Sequence, residues 1–210
     1  MQIEQNKLIN IGENCDSALI LAADLFFSGK VFIYPTDTIY GIGGNPFDLN
    51  VLKRIADIKA RDEKKHYVWL LSDFEKVMNY TEILYEDHLK FLLKIWPGPV
   101  TVILNLNART KEITNQETAA IRIPQNDFCL KLLKEVSRPL ISTSVNRSGD
   151  EQLNNIEQIA DNFSQNVDAI FYNTESTVNK SSTILDLTSE KPILIREGSI
   201  KFVELLKKFG

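Results

Sequence analysis

The parts that covalent catalysis usually needs are missing from this chain. No Gly-x-Ser-x-Gly turn occurs, so the strained elbow that presents a nucleophilic serine in α/β hydrolases is excluded. No Gly-x-x-x-x-Gly-Lys-Ser/Thr loop occurs, and no Gly-x-Gly-x-x-Gly run opens a helix. P-loop enzymes and Rossmann cofactor sites are therefore unsupported. Cysteine is scarce: Cys15 and Cys129 lie far apart without metal-type spacing, which predicts buried thiols in a reducing compartment. The two histidines, His66 and His88, have no acidic or cysteine partners at zinc-site spacing, so no structural metal is expected. No run of eighteen apolar residues and no basic-then-apolar start occurs, so neither a membrane span nor a secretion signal is expected.

What is present is an ordinary globular composition, 43% apolar and 25% charged over 210 residues, enough for one domain spanning 1–210. The formal charge of −4 argues against a protein that coats nucleic acid through bulk charge. A local cluster of Lys53, Arg54, Lys59, Arg61, Lys64 and Lys65 leaves docking of an RNA open.

The apolar run Val31-Phe32-Ile33-Tyr34 predicts a short buried strand, halted by Pro35, which cannot donate to a sheet ladder. Ahead of it Ala18, Leu21, Ala22, Leu25 and Phe26 recur at helical spacing, with Gly29 as the stop. Asp48 caps a second helix with Val51, Leu52, Ile55 and Ile58 inward. Further strands are expected at 67–71, 100–106, 119–123, from Pro139 onward and at 169–172. The segments 184–187 and 193–196 predict a hairpin. Residues 107–117 read as a mobile polar loop, residues 1–13 as irregular or an edge strand, and Ser199 as the cap of a terminal helix. Early strand–helix alternation with a late hairpin predicts the α/β class: an open, mixed parallel and antiparallel sheet with helices on its faces.

The first strand runs into Thr36-Asp37-Thr38, then Gly41, Gly43 and Gly44. Glycines at that density read as room for a ligand, or as a tight exposed connection. Arg122 sits between Ile121 and Ile123, so its side chain faces away from the side that those two bury. Lys59, Arg61, Ser142, Ser144, Asn146, Ser182 and Arg196 also fall at or near element ends. Each alone fits a solvated face. Together they are fixed cations and hydroxyls without an activated nucleophile. That set predicts a polyanion held by charge and attacked by a small bound nucleophile.

Seven elements then stand in one order: Tyr-Pro-Thr-Asp-Thr-Ile-Tyr-Gly at 34–41, Lys-x-Arg at 59–61, Pro-Gly-Pro-Val-Thr at 97–101, Thr118-x-x-x-Arg122-x-Pro124, Ser144-Val145-Asn146-Arg147-Ser148-Gly149, Ser182-Thr183-Ile184-Leu185-Asp186 and Arg196-x-Gly198. They cover about residues 20–200, and they resemble the YrdC-like threonylcarbamoyl-AMP synthases. The resemblance implies a YrdC-like, strongly twisted mixed sheet with a positively lined concave cavity, in the short single-domain form. It implies a cytoplasmic nucleotidyltransferase that joins L-threonine, bicarbonate or CO2, and ATP into threonylcarbamoyl-AMP, releasing pyrophosphate. A downstream transferase would move the group to a tRNA adenosine beside the anticodon, and binding of tRNA or double-stranded RNA is an associated expectation. By position, Thr36, Arg122, Ser142 and Ser182 would contact threonine. Lys59, Arg61, Thr118, Ser144, Asn146 and Arg196 would hold ATP or the adenylate, with Lys59 and Arg61 acting electrostatically. Mg²⁺ would arrive on the ATP phosphates, without a protein metal site.

Two departures stand out. Asp62 replaces a proline that often follows Lys-x-Arg, and Leu70 stands where many members carry a histidine. The alternative reading is a non-catalytic RNA- or nucleotide-binding protein of the same fold.

Overall fold

The computed structural model of the chain describes residues 7–60, 67–173 and 180–209. In chain order the elements are β1 (Leu8–Asn10), α1 (Cys15–Phe27), β2 (Phe32–Tyr34), β3 (Gly41–Gly43), α2 (Leu49–Lys59), β4 (Val68–Leu70) and α3 (Phe74–Tyr80). They continue with β5 (Thr81–Glu82), α4 (Glu86–Ile95), β6 (Val100–Leu106), α5 (Ala108–Thr114), β7 (Thr118–Arg122), α6 (Asp127–Val136) and β8 (Leu140–Ser144). The last are α7 (Ile156–Phe163), β9 (Ala169–Tyr172), β10 (Thr183–Asp186), β11 (Ile193–Arg196) and α8 (Phe202–Phe209).

The described strands form one mixed sheet in the order β1-β9-β2-β3-β8-β4-β7-β6-β10-β11, with β5 added beside β6. β1 and β2 flank β9 in parallel, and β4–β7 and β6–β10 are also parallel. The remaining pairs are antiparallel, including the β10–β11 hairpin expected from the sequence. β8 joins the two halves: its residues 140–142 pair with β4, and Thr143 and Ser144 pair with β3.

Alternation of side chains along each strand decides which face is packed. In β2, Phe32 and Tyr34 pack under α1 and α6, whereas Ile33 packs with α2 and α7 on the opposite face. β9 repeats this, with Ala169 and Phe171 on one side and Ile170 on the other. In the other half, Val102 and Leu104 of β6, Ala119 and Ile121 of β7, and Leu185 of β10 pack with α3, α4 and α8. The intervening residues, Thr101, Arg122 and Ile184, face away from that core and line a pocket.

Several sequence expectations need correction. Residues 107–117 are not a loop: Asn107 caps α5, its side chain accepting from Thr110 N at 2.9 Å. Ser199 does not cap α8. Its hydroxyl donates to the Lys180 and Ser181 carbonyls, and α8 starts at Phe202, whose N–H donates to Glu197. Cys129 is buried as expected, but Cys15 is only partly covered. The glycines of 41–43 form β3 and are not ligand space. A Cβ on Gly43 would lie 1.9 Å from the Ile141 carbonyl oxygen and 2.9 Å from the Tyr34 ring. The missing side chains let Tyr34 lie across β3 and donate its hydroxyl to Ile141 O at 2.6 Å.

Candidate active site

Strand ends from distant parts of the chain meet at a pocket of about 190 Å³. β7 supplies Arg122, β8 supplies Ser142 and Ser144, and β6 supplies Thr101. Ser182 enters just before β10, Arg196 ends β11, and Thr38 comes from the loop after β2.

Arg122 is 3% exposed, not on a wet face. Its Nη1 donates to Thr38 Oγ1 at 2.8 Å and lies 3.6 Å from Asp37 Oδ1, while its Nε has no hydrogen-bond partner. A buried guanidinium with a spare donor beside a polar pocket is poised to bind an anion. Arg196 donates through Nη2 to Ser182 O at 2.9 Å. Loss of hydration pushes its pKa down, and the nearby Arg122 charge adds to the effect. Two guanidiniums that repel each other across a cavity favour an anion between them.

The hydroxyls are fixed by neighbours. Ser182 Oγ and Thr101 Oγ1 are 2.8 Å apart, both buried. The 181–183 segment is held from the turn after β11, where Ser199 N donates to Ser181 O at 2.9 Å and Gly198 N to Thr183 Oγ1 at 3.0 Å. A Cβ on Gly198 would come within 2.3 Å of Ser181 O, so only glycine permits this approach.

Lys59 ends α2, almost fully buried. Its Nζ donates to Ser144 O at 2.5 Å and to Asn146 Oδ1 at 2.6 Å, and Ser144 Oγ donates to the same Asn146 oxygen at 2.6 Å. Lys59, Ser144 and Asn146 are thus one cluster, which reaches the pocket through Ser144.

Thr36 is buried behind the pocket wall and does not line it. Its hydroxyl donates to Ile39 O at 2.6 Å, accepts from Thr38 N at 3.1 Å, and sits 3.0 Å from Thr38 Oγ1. Thr118 is on the same face of β7 as Arg122 but roughly 13 Å up the strand, and it does not line the pocket. Arg61, Lys64, Lys65 and His66 lie outside the described residues. Arg54 of the basic cluster is already paired with Asp168 and donates to Asn166 O at 2.8 Å. His88 is buried, its ring nitrogen 2.9 Å from Glu190 O.

Sequence reasoning passed over Thr101, although the run Val100-Thr101-Val102 carries the same alternation that exposes Arg122. Among the described residues, no group of three His, Cys, Asp or Glu side chains could hold a metal. No helix among them is long and apolar enough to cross a membrane.

A mixed open sheet that gathers arginines and hydroxyls from strand ends defines an α/β protein with a pocket lined by arginines and hydroxyls. The chain belongs to the Sua5/YciO/YrdC family, whose description reads telomere recombination and whose match spans residues 24–198. It is 29% identical over 206 residues to the threonylcarbamoyl-AMP synthase of Pyrococcus abyssi, covering 97% of this chain and 61% of that protein. It therefore spans less than two thirds of that relative's length. A threonylcarbamoyl-AMP synthase of Vibrio vulnificus is 29% identical over 174 residues, covering 81% of this chain and 92% of the relative. Among solved structures, P. abyssi Sua5 complexed with L-threonine superposes with a TM-score of 0.87 at 28% identity, covering 97% of this chain and 61% of that one.

Proposed function

We propose that this chain is a threonylcarbamoyl-AMP synthase, making threonylcarbamoyl-AMP and pyrophosphate from L-threonine, bicarbonate or CO2, and ATP. The observation that carries the reading is Arg122: a buried arginine with an unpartnered Nε, at a serine-lined pocket that also holds Arg196. The similarity to synthases from Pyrococcus abyssi and Vibrio vulnificus, and to a Sua5 structure complexed with L-threonine, supports it.

In this reading Arg122 binds the threonine carboxylate, with Ser142 and Ser182 beside it. Thr36 contributes from behind, because it holds Thr38, whose hydroxyl accepts from Arg122. At about 190 Å³ the pocket is below the ~300–1,000 Å³ of a drug-sized ligand site. An amino acid would fit within it, and the nucleotide would extend along Ser144, Asn146 and Lys59, with Arg196, Arg61 and Thr118 as further contacts. The threonine amine attacks the carbon of CO2, forming the carbamate N–C bond and releasing a proton. A carbamate oxygen then attacks the α-phosphorus, forming an O–P bond as the bond to pyrophosphate breaks. No side chain forms a covalent intermediate.

Catalysis rests on positioning and charge. Holding the reactants together supplies roughly 7–11 kcal/mol of the barrier in favourable cases. Lys59 and the arginines stabilise the charge that builds on the phosphates. ATP enters as its magnesium complex, and the pocket's hydroxyls and cations suit a metal carried by phosphates better than a protein cage. We place the enzyme in the cytosol, upstream of a transferase acting on tRNA. Any direct contact with tRNA or double-stranded RNA would fall to basic residues other than the engaged Arg54.

The test is pyrophosphate release with ATP, Mg²⁺, bicarbonate and L-threonine. Release that needs both threonine and bicarbonate is expected. Release indifferent to either one would refute the assignment.

A further inference from the structure

A second pocket, of about 610 Å³, lies where the loop before α2, the end of α3, α5 and the start of β8 converge. Phe47, Tyr80, Arg109, Ile113 and Arg138 are among its walls, and it shares no residue with the first pocket. Phe47 and Tyr80 stack with ring centroids 6.0 Å apart, and Trp69 packs edge-on against both from the buried side. This makes a rigid aromatic wall. Arg109 and Arg138, 29 residues apart in sequence (138 − 109), reach the same cavity. Among the described residues, neither guanidinium and not the Tyr80 hydroxyl makes a hydrogen bond or ion pair. No Asp or Glu lines the pocket. Burial raises the Tyr80 pKa, and the Arg138 and Arg109 charges oppose that rise, consistent with both facing the phenol.

The overall charge is −4, so two uncompensated arginines in one cavity are a local exception. A single carboxylate would match one guanidinium, whereas a phosphate carries more charge and more acceptor oxygens. The aromatic wall adds a surface on which any nucleobase can stack. The volume falls in the ~300–1,000 Å³ range of sites for ligands of nucleotide size.

We propose that this second pocket binds a nucleoside 5′-phosphate, its base against Tyr80 and Phe47 and its phosphate between Arg109 and Arg138. The ligand is either a free nucleotide or one residue of a single-stranded RNA. The inference does not depend on the synthase reading, because the two pockets share no residue.

The experiment is calorimetric titration of the full chain with AMP, with an oligoadenylate and with inorganic phosphate, for the unaltered protein and for Arg109→Ala/Arg138→Ala. Both arginines are exposed and unpaired, so the double variant should keep the thermal stability of the parent. The unaltered chain should show a class of AMP sites, weakened by salt, that the double variant loses or binds roughly tenfold more weakly. Oligoadenylate binding at least roughly tenfold tighter than AMP identifies an RNA strand as the source, and equal binding identifies the free nucleotide. Identical AMP stoichiometry and affinity in the two proteins would overturn the proposal, as would inorganic phosphate binding as tightly as AMP. Pyrophosphate release by the double variant should stay at the parent rate. Loss of that release in both proteins would count against the synthase and leave the nucleotide result standing.

Discussion

Arg122 Nη1 and Asp37 Oδ1 stand 3.6 Å apart, and neither side chain is saturated. Both Asp37 carboxylate oxygens and Arg122 Nε lack hydrogen-bond partners. Coulomb attraction holds the guanidinium in the wall, and its spare donor stays available to a substrate anion. Replacing Asp37 by Asn should leave a buried, uncompensated cation, which costs about 3–5 kcal/mol when a buried pair is broken. A lower Tm and a higher threonine concentration for half-maximal pyrophosphate release are expected. An unchanged Tm would show that the pair contributes nothing.

Arg122→Lys keeps the charge and loses the planar fork of donors. Charged hydrogen bonds are worth about 1.5–3 kcal/mol each, so threonine-dependent turnover should fall roughly 10–100-fold. The comparison is kcat/KM for threonine at saturating ATP. A variant as active as the parent would remove Arg122 from the site.

Lys59→Met deletes the ammonium that donates to Ser144 O and Asn146 Oδ1, while Asn146 N and Ser144 Oγ still donate to those two oxygens, so the loss is chiefly one of positive charge. If this cluster holds the nucleotide as proposed, the KM for ATP should rise more than the KM for threonine. An equal rise in both would contradict the division of the site.

Gly43→Ala puts a methyl group 1.9 Å from the Ile141 carbonyl, where β3 crosses under Tyr34. Overpacking of this kind costs about 1–3 kcal/mol, and more against rigid backbone. Thermal unfolding should register the loss. Parental stability would mean that β3 does not lie where Tyr34 and Ile141 place it.

Asp73 caps α3, accepting from Lys76 N at 2.9 Å and from Ser72 Oγ at 2.7 Å. Burial pushes its pKa up, but these bonds and the Lys76 charge outweigh it, and the net shift is downward. A depressed folded pKa means that the stabilisation is present above the ordinary carboxylate value and fades as pH falls through the folded one. Asp73→Ala should therefore cost about 1 kcal/mol near neutrality and less in acid, by urea unfolding. A gap that widens toward acid would reverse the sign.

The facing of Arg122 was legible because strand alternation is simple physics, whereas the gathering of the serines and Arg196 was implied only by the family resemblance. Ile121 and Ile123 had to face the core, so Arg122 had to face the other way. The Lys59, Ser144 and Asn146 cluster was visible only as separate residues, since it is built where the end of α2 meets the turn after β8. β3 was hidden because glycine is a poor strand former. Its pairing is set by Tyr34 and Ile141, the second about a hundred residues away. α5 was hidden by its polar composition, and it forms around the Asn107 cap and the buried Thr110. Thr36, expected to contact threonine, is an internal brace behind the pocket, because Thr38 takes the position beside Arg122.

The most direct measurement is of the product. The chain is incubated with ATP, Mg²⁺, L-threonine and ¹³C-labelled bicarbonate, and the nucleotides are weighed by mass spectrometry. A threonine-containing adenylate carrying one labelled carbon is predicted, and Arg122→Lys should yield far less of it. ATP turnover without any labelled adenylate would contradict the account.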